Sequence, residues 1–210
     1  MEPTKTEVKF IGIGFRKQSG KDTFANVLCE YLPDSVICSF ATPLKHYCME
    51  VYGLTREQCW GTDEQKNTLT RVTPRDIGMP PDDNTFLSAR SVLQHVGVTM
   101  RESFHVDVWA WVPFMVDWGY TKFVIIPDVR FENEARLIQD HGGELLHLKR
   151  PGSPDDTHIS ECALQDWKWD RVVSNDGDLA RLRRKGARHA GRIQREWQLD
   201  VDMNRSDLCC

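Results

Sequence analysis

The sequence predicts a three-layer α/β/α sandwich with a parallel sheet as its middle layer. Short apolar runs, which are typical of buried strands, occupy residues 8–13, 36–40, 122–127, 144–148 and 171–174. Stretches with the spacing of helices lie between and after them, at residues 21–31, 43–52, 55–60, 88–102, 107–118, 131–141, 158–169 and 178–196. Because strands that alternate with helices pair in parallel, we expect ligands beyond the carboxyl ends of the strands.

The length of 210 residues fits a single domain with a small insertion and a lid. We place the core at about residues 7–60 and 120–196, the insertion at about 61–118 and the lid at about 150–165. Within the insertion, residues 61–86 combine prolines, glycines and charges with little periodicity. That composition predicts a long irregular segment.

The composition also indicates where the protein works. There are seven cysteines, but none form a CxxC pair, so neither a disulfide framework nor a zinc site is predicted. No apolar stretch reaches the roughly 18 residues of a membrane span, and the N-terminus lacks the apolar run of a secretory signal. We therefore expect a soluble cytoplasmic protein that does not bind membranes.

The net charge of −4 gives no reason to expect stable binding to nucleic acid. The local exception is residues 181–195, which hold seven Lys and Arg side chains and no acidic one. Two interpretations are open for this run. It is either the solvated face of a C-terminal helix or a surface that attracts polyanions such as nucleotides.

The segment GFRKQSGKDT, at residues 14–23, has the features of a loop that binds phosphate groups. It leads from the first predicted strand into the first predicted helix, whose free N–H groups and dipole attract anionic oxygens. Gly14, Ser19 and Gly20 allow the loop to approach a phosphate closely. Lys21 would place its ammonium against the β- and γ-phosphates of a nucleotide.

The loop departs from the usual pattern GxxxxGK[ST] in two places. Phe15 stands at the expected glycine position, and Asp22 follows the lysine where Ser or Thr is usual. A magnesium ion that accompanies the nucleotide would then be contacted by Thr23, by Asp22 or through water. The alternative is a strand-to-helix turn without a ligand, but the position after the first strand favours phosphate binding.

Candidates for an acceptor site follow the other strands. Asp128, after the third long strand, can orient magnesium or accept a proton from the attacking group, while Arg130 can bind a phosphate bidentately. Alternatively, Asp128 only caps the following helix. Lys45 comes after the second strand, in a helix for which Thr42 is the predicted N-cap and Pro43 the first residue.

A further group of candidates lies around the predicted helix at residues 88–102. Gln94 and Arg101 are seven residues apart, so they share one helix face, and Arg101 is a candidate phosphate contact. Trp109 would either stack on a base or fill the core, and the core is the more common place for a tryptophan.

The lid is predicted from charge. Arg150 and its neighbour Lys149 would be its cationic part, and Glu161, in the segment HISE, would close over the phosphates with it. The pair His158 and Glu161 lacks a third ligand and does not make a metal site. Asn175 opens an Asn-Asp-Gly turn after the last strand, where it could contact adenine.

These segments resemble bacteriophage deoxynucleoside monophosphate kinases over about residues 7–185. The resemblance rests on SGKDT at 19–23, FATPLK at 40–45, LQHVG at 93–97, DVW at 107–109, PDVRFENEA at 127–135, GGELLHLKRPG at 142–152, HISE at 158–161 and VSNDGDLARL at 173–182. It implies a P-loop nucleotide kinase fold, ATP and Mg²⁺ as cosubstrates, and a deoxynucleoside monophosphate as acceptor. It also implies supply of DNA precursors in an infected bacterial cell, and often a dimer.

The resemblance implies that Lys21 and Arg130 are catalytic and that Lys45, Arg101, Asp128 and Glu134 serve the acceptor. The candidates named from the residues themselves, with Arg71 as a cation of the segment at residues 61–86, complete the expected site. The expected catalytic residues are Lys21, Asp128, Arg130 and Arg150. The expected ATP contacts are Gly14, Ser19, Gly20, Lys21, Asp22, Thr23 and Asn175. The expected acceptor contacts are Lys45, Arg71, Gln94, Arg101, Trp109, Asp128, Arg130, Glu134 and Glu161. Without the resemblance, the sequence predicts only that Glu134 is an ordinary residue in the first turn of a helix.

Two other functions are compatible with the sequence. One is a P-loop kinase for another phosphorylated small molecule or for a modified base in DNA. The other is a protein that binds a nucleotide without transferring phosphate. The segments at residues 128–130 and 158–161 favour a kinase, because a pure binding protein needs no cations for an acceptor.

Overall fold

The computed structural model describes residues 8–14, 19–80, 85–151 and 164–207, the side chains of 204–207 excepted. The chain divides into two compact units. The sheet unit comprises Met1–Ser39 and Pro113–Cys210, and the helical unit comprises Phe40–Val112. The predicted division into core, insertion and lid was made by expected function and not by compactness, and it stays a prediction.

A five-stranded parallel sheet forms the centre of the sheet unit, which confirms the predicted fold class. The strands are β1 (Lys9–Gly14), β2 (Ser35–Ile37), β3 (Phe123–Ile126), β4 (Glu144–Lys149) and β5 (Arg171–Ser174). Their order is β2-β3-β1-β4-β5, and each neighbouring pair is parallel. All the carboxyl ends therefore meet at one edge, with β1 in the middle.

The helices of the described residues fall into both units. They are α1 (Lys21–Tyr31), α2 (Ala41–Tyr52), α3 (Arg56–Trp60), α4 (Asp63–Lys66), α5 (Ala89–Ser103), α6 (Val112–Met115), α7 (Glu132–Asp140) and α8 (Leu179–Asp207), with a 3₁₀ helix at Pro74–Ile77. None of these helices is long and apolar enough to cross a membrane.

The segment predicted to be irregular at residues 61–86 contains two short helices, and that prediction was wrong. Thr62 opens α4 with a capping box: its hydroxyl accepts from the Gln65 N–H at 3.2 Å, and Gln65 Oε1 accepts from the Thr62 N–H at 2.8 Å. Thr73 begins the 3₁₀ helix, and Asp76 Oδ2 accepts from its N–H at 2.8 Å. Both motifs could have been found in the sequence as Thr followed three residues later by Gln or Asp.

The boundaries predicted for two other helices were also wrong. Helix α2 begins at Ala41, so Thr42 and Pro43 lie inside its first turn instead of marking its start, and no side chain caps it. Only Val112–Met115 is helical within residues 107–118. Residues 106–111 form turns. Pro113 lies in the first turn of the short helix, where a proline is tolerated because its missing N–H would have no intrahelical acceptor.

The last two predicted helices differ in opposite ways. Helix α8 runs to Asp207 instead of ending near residue 196, and it is 29 residues long. The predicted helix at residues 158–169 lies largely outside the described residues, and residues 164–166 form a turn.

The core of the sheet unit is built on one face of the sheet by α1 and α8. Phe24 and Leu28 of α1 are fully buried and pack with Leu182 and Ile193 of α8. Gly186 allows the two helices to approach closely, because a Cβ at this position would come within 2.4 Å of a Val27 methyl group. Burial of these apolar groups is the main force that fixes α1, and with it the segment that precedes α1, against the sheet.

The helical unit has its own apolar core. Its buried residues are Cys48, Leu54, Cys59, Val72, Ile77, Ala89, Val92 and Val96. Burial raises the pKa of the Cys48 thiol to about 12, with the nearby Cys59 adding to the shift. The four cysteines recorded as free among the described residues thus include two that act as small apolar side chains, as predicted.

His189 of α8 makes the stability of the sheet unit sensitive to acid. Its ring packs edge-on against Phe24, with 6.0 Å between ring centroids. Burial, followed by Arg192, Arg171 and Arg188, lowers the pKa of His189. The folded protein therefore holds this proton more weakly than the unfolded chain does, and stability decreases as the pH falls below about 6.5.

We expect the substitution His189→Gln to flatten this pH dependence. The variant should have a lower Tm at pH 7.5, because it loses the contact with Phe24. Its further decrease in Tm between pH 7.5 and 5.5 should be smaller than that of the wild type. Thermal unfolding at both pH values checks this, and equal decreases would show that His189 does not cause the effect.

Candidate functional site

The start of the predicted phosphate loop is fixed by close contacts at the end of β1. A Cβ on Gly14 would come within 2.3 Å of the Trp169 ring and 3.0 Å of the Val129 carbonyl oxygen. No larger residue fits there without displacing one of these neighbours. Trp169 was not among the predicted site residues. Residues 15–18, including Phe15, lie outside the described part of the chain.

The end of the loop is held by Asn175. Its side-chain N–H donates to the Ser19 carbonyl oxygen at 2.8 Å, and its own side chain is buried. Gly20 has φ of 92°, a conformation that favours glycine, and a Cβ there would lie 2.7 Å from Asn175 Nδ2. The structure thus brings together Ser19, Gly20 and Asn175, which are distant in sequence. A contact of Asn175 with adenine stays a prediction.

The residues at this place fit an anionic ligand. Ser19 Oγ is buried and has no hydrogen-bond partner among the residues that the structure describes. Helix α1 begins directly after Gly20 without a side-chain cap, so its first N–H groups lack an intrahelical acceptor. Lys21, only 9% exposed, is the first residue of that helix. A polyphosphate would satisfy these donors and pair with the lysine.

The same residues fit a magnesium ion only if the ion arrives with phosphate groups. Asp22 is exposed and Thr23 is half-buried, both in the first turn of α1. No group of three or more His, Cys, Asp or Glu side chains that could hold a metal occurs within the described part of the chain. Magnesium bound through one or two protein oxygens, phosphate and water is the common arrangement in kinases.

A second cluster lies at the ends of the neighbouring strands β2 and β3. Ser39 Oγ donates to Asp128 Oδ2 at 2.5 Å, which holds this carboxylate in place. Burial raises the pKa of Cys38 to about 11, and the negative charge of Asp128 adds to the shift. Ser39 was missed in the sequence because the predicted strand at residues 36–40 included it, whereas β2 ends at Ile37.

Arg130 is positioned by the carboxylate of Glu134. Glu134 Oε2 accepts from the backbone N–H of Arg130 at 2.8 Å and from that of Phe131 at 3.1 Å. Glu134 is only 2% exposed and lies in the first turn of α7. The side chain therefore fixes the turn that carries Arg130, which is more than an ordinary first-turn residue does. Its predicted role in binding the acceptor stays a prediction.

We expect Glu134→Ala to destabilise the fold and loosen Arg130. Two backbone N–H groups would lose their acceptor, at a cost of about 1–3 kcal/mol for each one that stays buried. Glu134→Gln should recover much of the stability, because an amide oxygen can accept from the same groups. Urea unfolding of both variants checks this, and equal losses would show that the accepted hydrogen bonds are not the cause.

In the helical unit, Lys45 lies over the ring of Trp60, with 5.1 Å from Nζ to the centroid. Arg56 lies 5.4 Å from the same ring, and the His46 ring is 5.3 Å away. The indole therefore holds two cations by cation–π attraction. Trp60 was not predicted as a site residue, and only the tertiary structure places it beside Lys45.

The other predicted acceptor contacts of the helical unit differ in their exposure. Gln94 is exposed and Arg101 is half-buried on α5, and Arg71 is exposed. Trp109 is 6% exposed, and its ring N–H donates to the Gly97 carbonyl at 3.3 Å. Such burial agrees with the interpretation of Trp109 as a core residue, while its stacking on a base stays a prediction.

The predicted lid, at about residues 150–165, lies largely outside the described residues. Arg150 is exposed and follows directly after β4, at the same sheet edge as the phosphate loop. Glu161 lies outside the described residues. The sheet topology thus gathers the loop after β1, Asp128 after β3, Arg150 after β4 and Asn175 after β5 at one edge.

Comparisons with known proteins show to which family the chain is related. The sequence model of a family described as deoxynucleotide monophosphate kinase matches residues 60–185. A protein of Acanthamoeba polyphaga mimivirus named as such a kinase is 36% identical over 182 residues, covering 79% of this chain and 88% of that protein. The deoxynucleotide monophosphate kinase of Enterobacteria phage T4 is 25% identical over 234 residues, covering 83% and 95%.

Among solved structures, a sugar kinase from Janibacter sp. HTCC2649 is 11% identical, with a TM-score of 0.37 over 85% of this chain and 91% of that one. That score is too low to support an argument. The family match and the mimivirus relative each span well over half of the chain. On this evidence the chain belongs to the deoxynucleotide monophosphate kinase family.

Proposed function

We propose that this protein transfers the γ-phosphoryl group of ATP to deoxynucleoside 5′-monophosphates, giving ADP and the diphosphates. The observation that carries the proposal is the buried anion site formed by Ser19, Gly20 and Lys21 at the start of α1. In a member of this family, that site is the natural place for the phosphates of the donor. The product would supply DNA precursors in the cytoplasm of the host cell, as the viral relatives suggest.

Phosphoryl transfer depends on how the protein positions the two substrates and neutralises their charge, more than on proton transfer by a side chain. The acceptor is a phosphate monoester with a second pKa of about 6, so it is largely a dianion at neutral pH. One of its oxygens forms a bond to the γ-phosphorus while the bond from that phosphorus to the β–γ bridging oxygen breaks. No proton has to leave the attacking oxygen, and Asp128 is therefore not needed as a base.

Each residue of the sheet unit then has a role that follows from its chemistry. Lys21 would pair with the β- and γ-phosphates, and Arg130 would bind the transferred or the accepting phosphate through its planar guanidinium. Arg150 would add positive charge from the lid. Preorganised cations of this kind account for most of the catalysis in phosphoryl transfer.

Magnesium bound to the donor phosphates would neutralise part of their charge, with Thr23 and Asp22 as the candidate protein oxygens. Asp128 is held by Ser39, so its carboxylate has a fixed position from which it can orient a hydrated magnesium ion.

The acceptor would be bound largely by residues of the helical unit. Lys45, Arg71, Gln94, Arg101 and Trp109 are the proposed contacts. Glu134, on the sheet unit, would contribute indirectly by fixing Arg130. Lys45 is the contact with the strongest local support, because Trp60 restricts where its ammonium can lie.

The proposal is tested by measuring ADP release with ATP and Mg²⁺ in the presence of each deoxynucleoside and ribonucleoside monophosphate. We expect at least one deoxynucleoside monophosphate to stimulate ADP release strongly, with the diphosphate identified as product by chromatography. ATP hydrolysis that no monophosphate stimulates would contradict the proposed function. Omission of magnesium should abolish turnover with every acceptor.

A further inference from the structure

The ammonium group of Lys185 lies beside the end of β5, where three hydrogen bonds fix its position. It donates to the Ser174 carbonyl oxygen at 2.6 Å, to Ser174 Oγ at 2.7 Å and to Asp176 Oδ1 at 2.8 Å. An ammonium has three hydrogens to donate, and here each has an acceptor. The side chain is only 14% exposed, so it differs from a lysine that extends into solvent.

This lysine belongs to the cationic run at residues 181–195, for which two interpretations were open. The run does contain exposed cations such as Arg184. Lys185, however, is turned towards the sheet and bridges Ser174, the last residue of β5, and Asp176, in the turn that follows. Fixing a long lysine side chain costs conformational entropy, so a solvated helix face does not explain its position.

The residue between the two partners of Lys185 is Asn175. Its backbone N–H donates to the Lys149 carbonyl oxygen at 2.7 Å, and its side chain donates to the Ser19 carbonyl oxygen at 2.8 Å. The amide can reach Ser19 only while the turn keeps its present geometry. Lys185 holds that turn on both sides of Asn175.

We propose that Lys185 is a positioning residue for the phosphate loop. It acts through Asn175, whose amide orients Ser19 and, through it, the conformation of Gly20 at the start of α1. Asp176 contributes as the anionic partner: hydrogen bonding from Lys185 is the largest cause of the lowered pKa of its carboxyl group. The inference rests on the proposed function in that the loop is taken to bind the phosphates of ATP.

The consequence is a selective effect on the donor nucleotide. Loss of the Lys185 ammonium should weaken ATP binding because the loop is less well ordered before ATP arrives. It should leave the acceptor's KM nearly unchanged, because the hydrogen bonds of Lys185 within the described part of the chain go to Ser174 and Asp176 and not to a proposed acceptor residue. A lysine that only joined α8 to the sheet would lower Tm without this selectivity.

The test compares Lys185→Met with the matched control Arg184→Met, which removes an exposed cation from the same helix. Calorimetric titration with ATP and MgCl₂, without any acceptor, gives the Kd directly. We expect Kd to rise on the order of tenfold in Lys185→Met, as for loss of a charge-assisted hydrogen bond, and less than twofold in Arg184→Met. An unchanged Kd in Lys185→Met would overturn the proposal.

A double-mutant cycle distinguishes action through Asn175 from an independent effect. Asn175→Ala should also raise the Kd for ATP, and the double variant Asn175→Ala/Lys185→Met should bind no more weakly than Asn175→Ala alone. If the Kd of the double variant rises by the product of the two single increases, Lys185 does not act through Asn175. That result would overturn the proposal. If Lys185→Met does not fold, Asp176→Ala removes an exposed partner instead, and a Kd equal to that of the wild type would count against the proposal.

Failure of the inference and failure of the proposed function give different results. Wild-type protein that binds ATP but phosphorylates no deoxynucleoside monophosphate would contradict the function and leave the comparison of Kd values valid. Wild-type protein that does not bind ATP would overturn both. In steady-state assays, the KM for ATP should rise in Lys185→Met, while the KM for the acceptor should stay within twofold of the wild type.

Discussion

The substitution Lys21→Ala is expected to lower kcat/KM by on the order of a thousandfold, or about 4 kcal/mol of transition-state stabilisation. Lys21 is the first residue of α1 and is largely buried beside Ser19 and Gly20. Its ammonium would be the main positive charge on the donor phosphates at this helix terminus. Removing it leaves the N–H groups of the helix but no full charge.

The loss should be one of catalysis and not of folding. Residues that concentrate charge in a binding site are often slightly destabilising, so we expect Tm to be unchanged or slightly higher in Lys21→Ala. Lys168→Ala, which removes an exposed lysine of the same unit, is the control and should keep full activity. Activity of Lys21→Ala within tenfold of the wild type would show that another residue is the phosphate-binding lysine.

The second large effect is expected at Arg130. Replacement by alanine should lower kcat by on the order of a hundredfold or more, because a bidentate contact to a phosphate would be lost. The control is Arg188→Ala, which removes an exposed arginine of α8. It should change kcat by less than twofold.

The comparison of the two arginine variants tests where the acceptor side lies. If Arg130→Ala and Arg188→Ala lose activity equally, the residues after β3 do not carry the transfer. Arg130→Lys helps to separate charge from geometry, because lysine keeps the charge but cannot make two parallel hydrogen bonds. We expect it to recover only part of the activity.

Much of the fold could be predicted because its signals are local. The apolar runs of β1, β3, β4 and β5 and the helical spacing of α1 and α7 are visible in a window of ten residues. Errors arose at the ends of elements. The predicted ends of α6 and α8 were wrong because boundaries are the part of a helix that local patterns constrain least.

The candidate site shows the same division between local and distant signals. Ser19, Gly20 and Lys21 are recognisable from the sequence, since a strand-to-helix turn with this composition has few other uses. Ser39, Trp60, Trp169 and Lys185 were not recognised. Each of them acts on a residue that is distant in sequence or through a contact that has no fixed spacing.

The sequence by itself determined the parallel α/β architecture, the place of the phosphate loop and the family resemblance, because each depends on residues close together in the chain. Only the tertiary structure decided what holds the loop in place. Trp169 confines Gly14 and Asn175 binds the Ser19 carbonyl, and Lys185 fixes the turn that carries Asn175. The physical reason is that hydrogen bonds and close contacts act over a few ångströms, whereas the residues that make them are up to 156 positions apart.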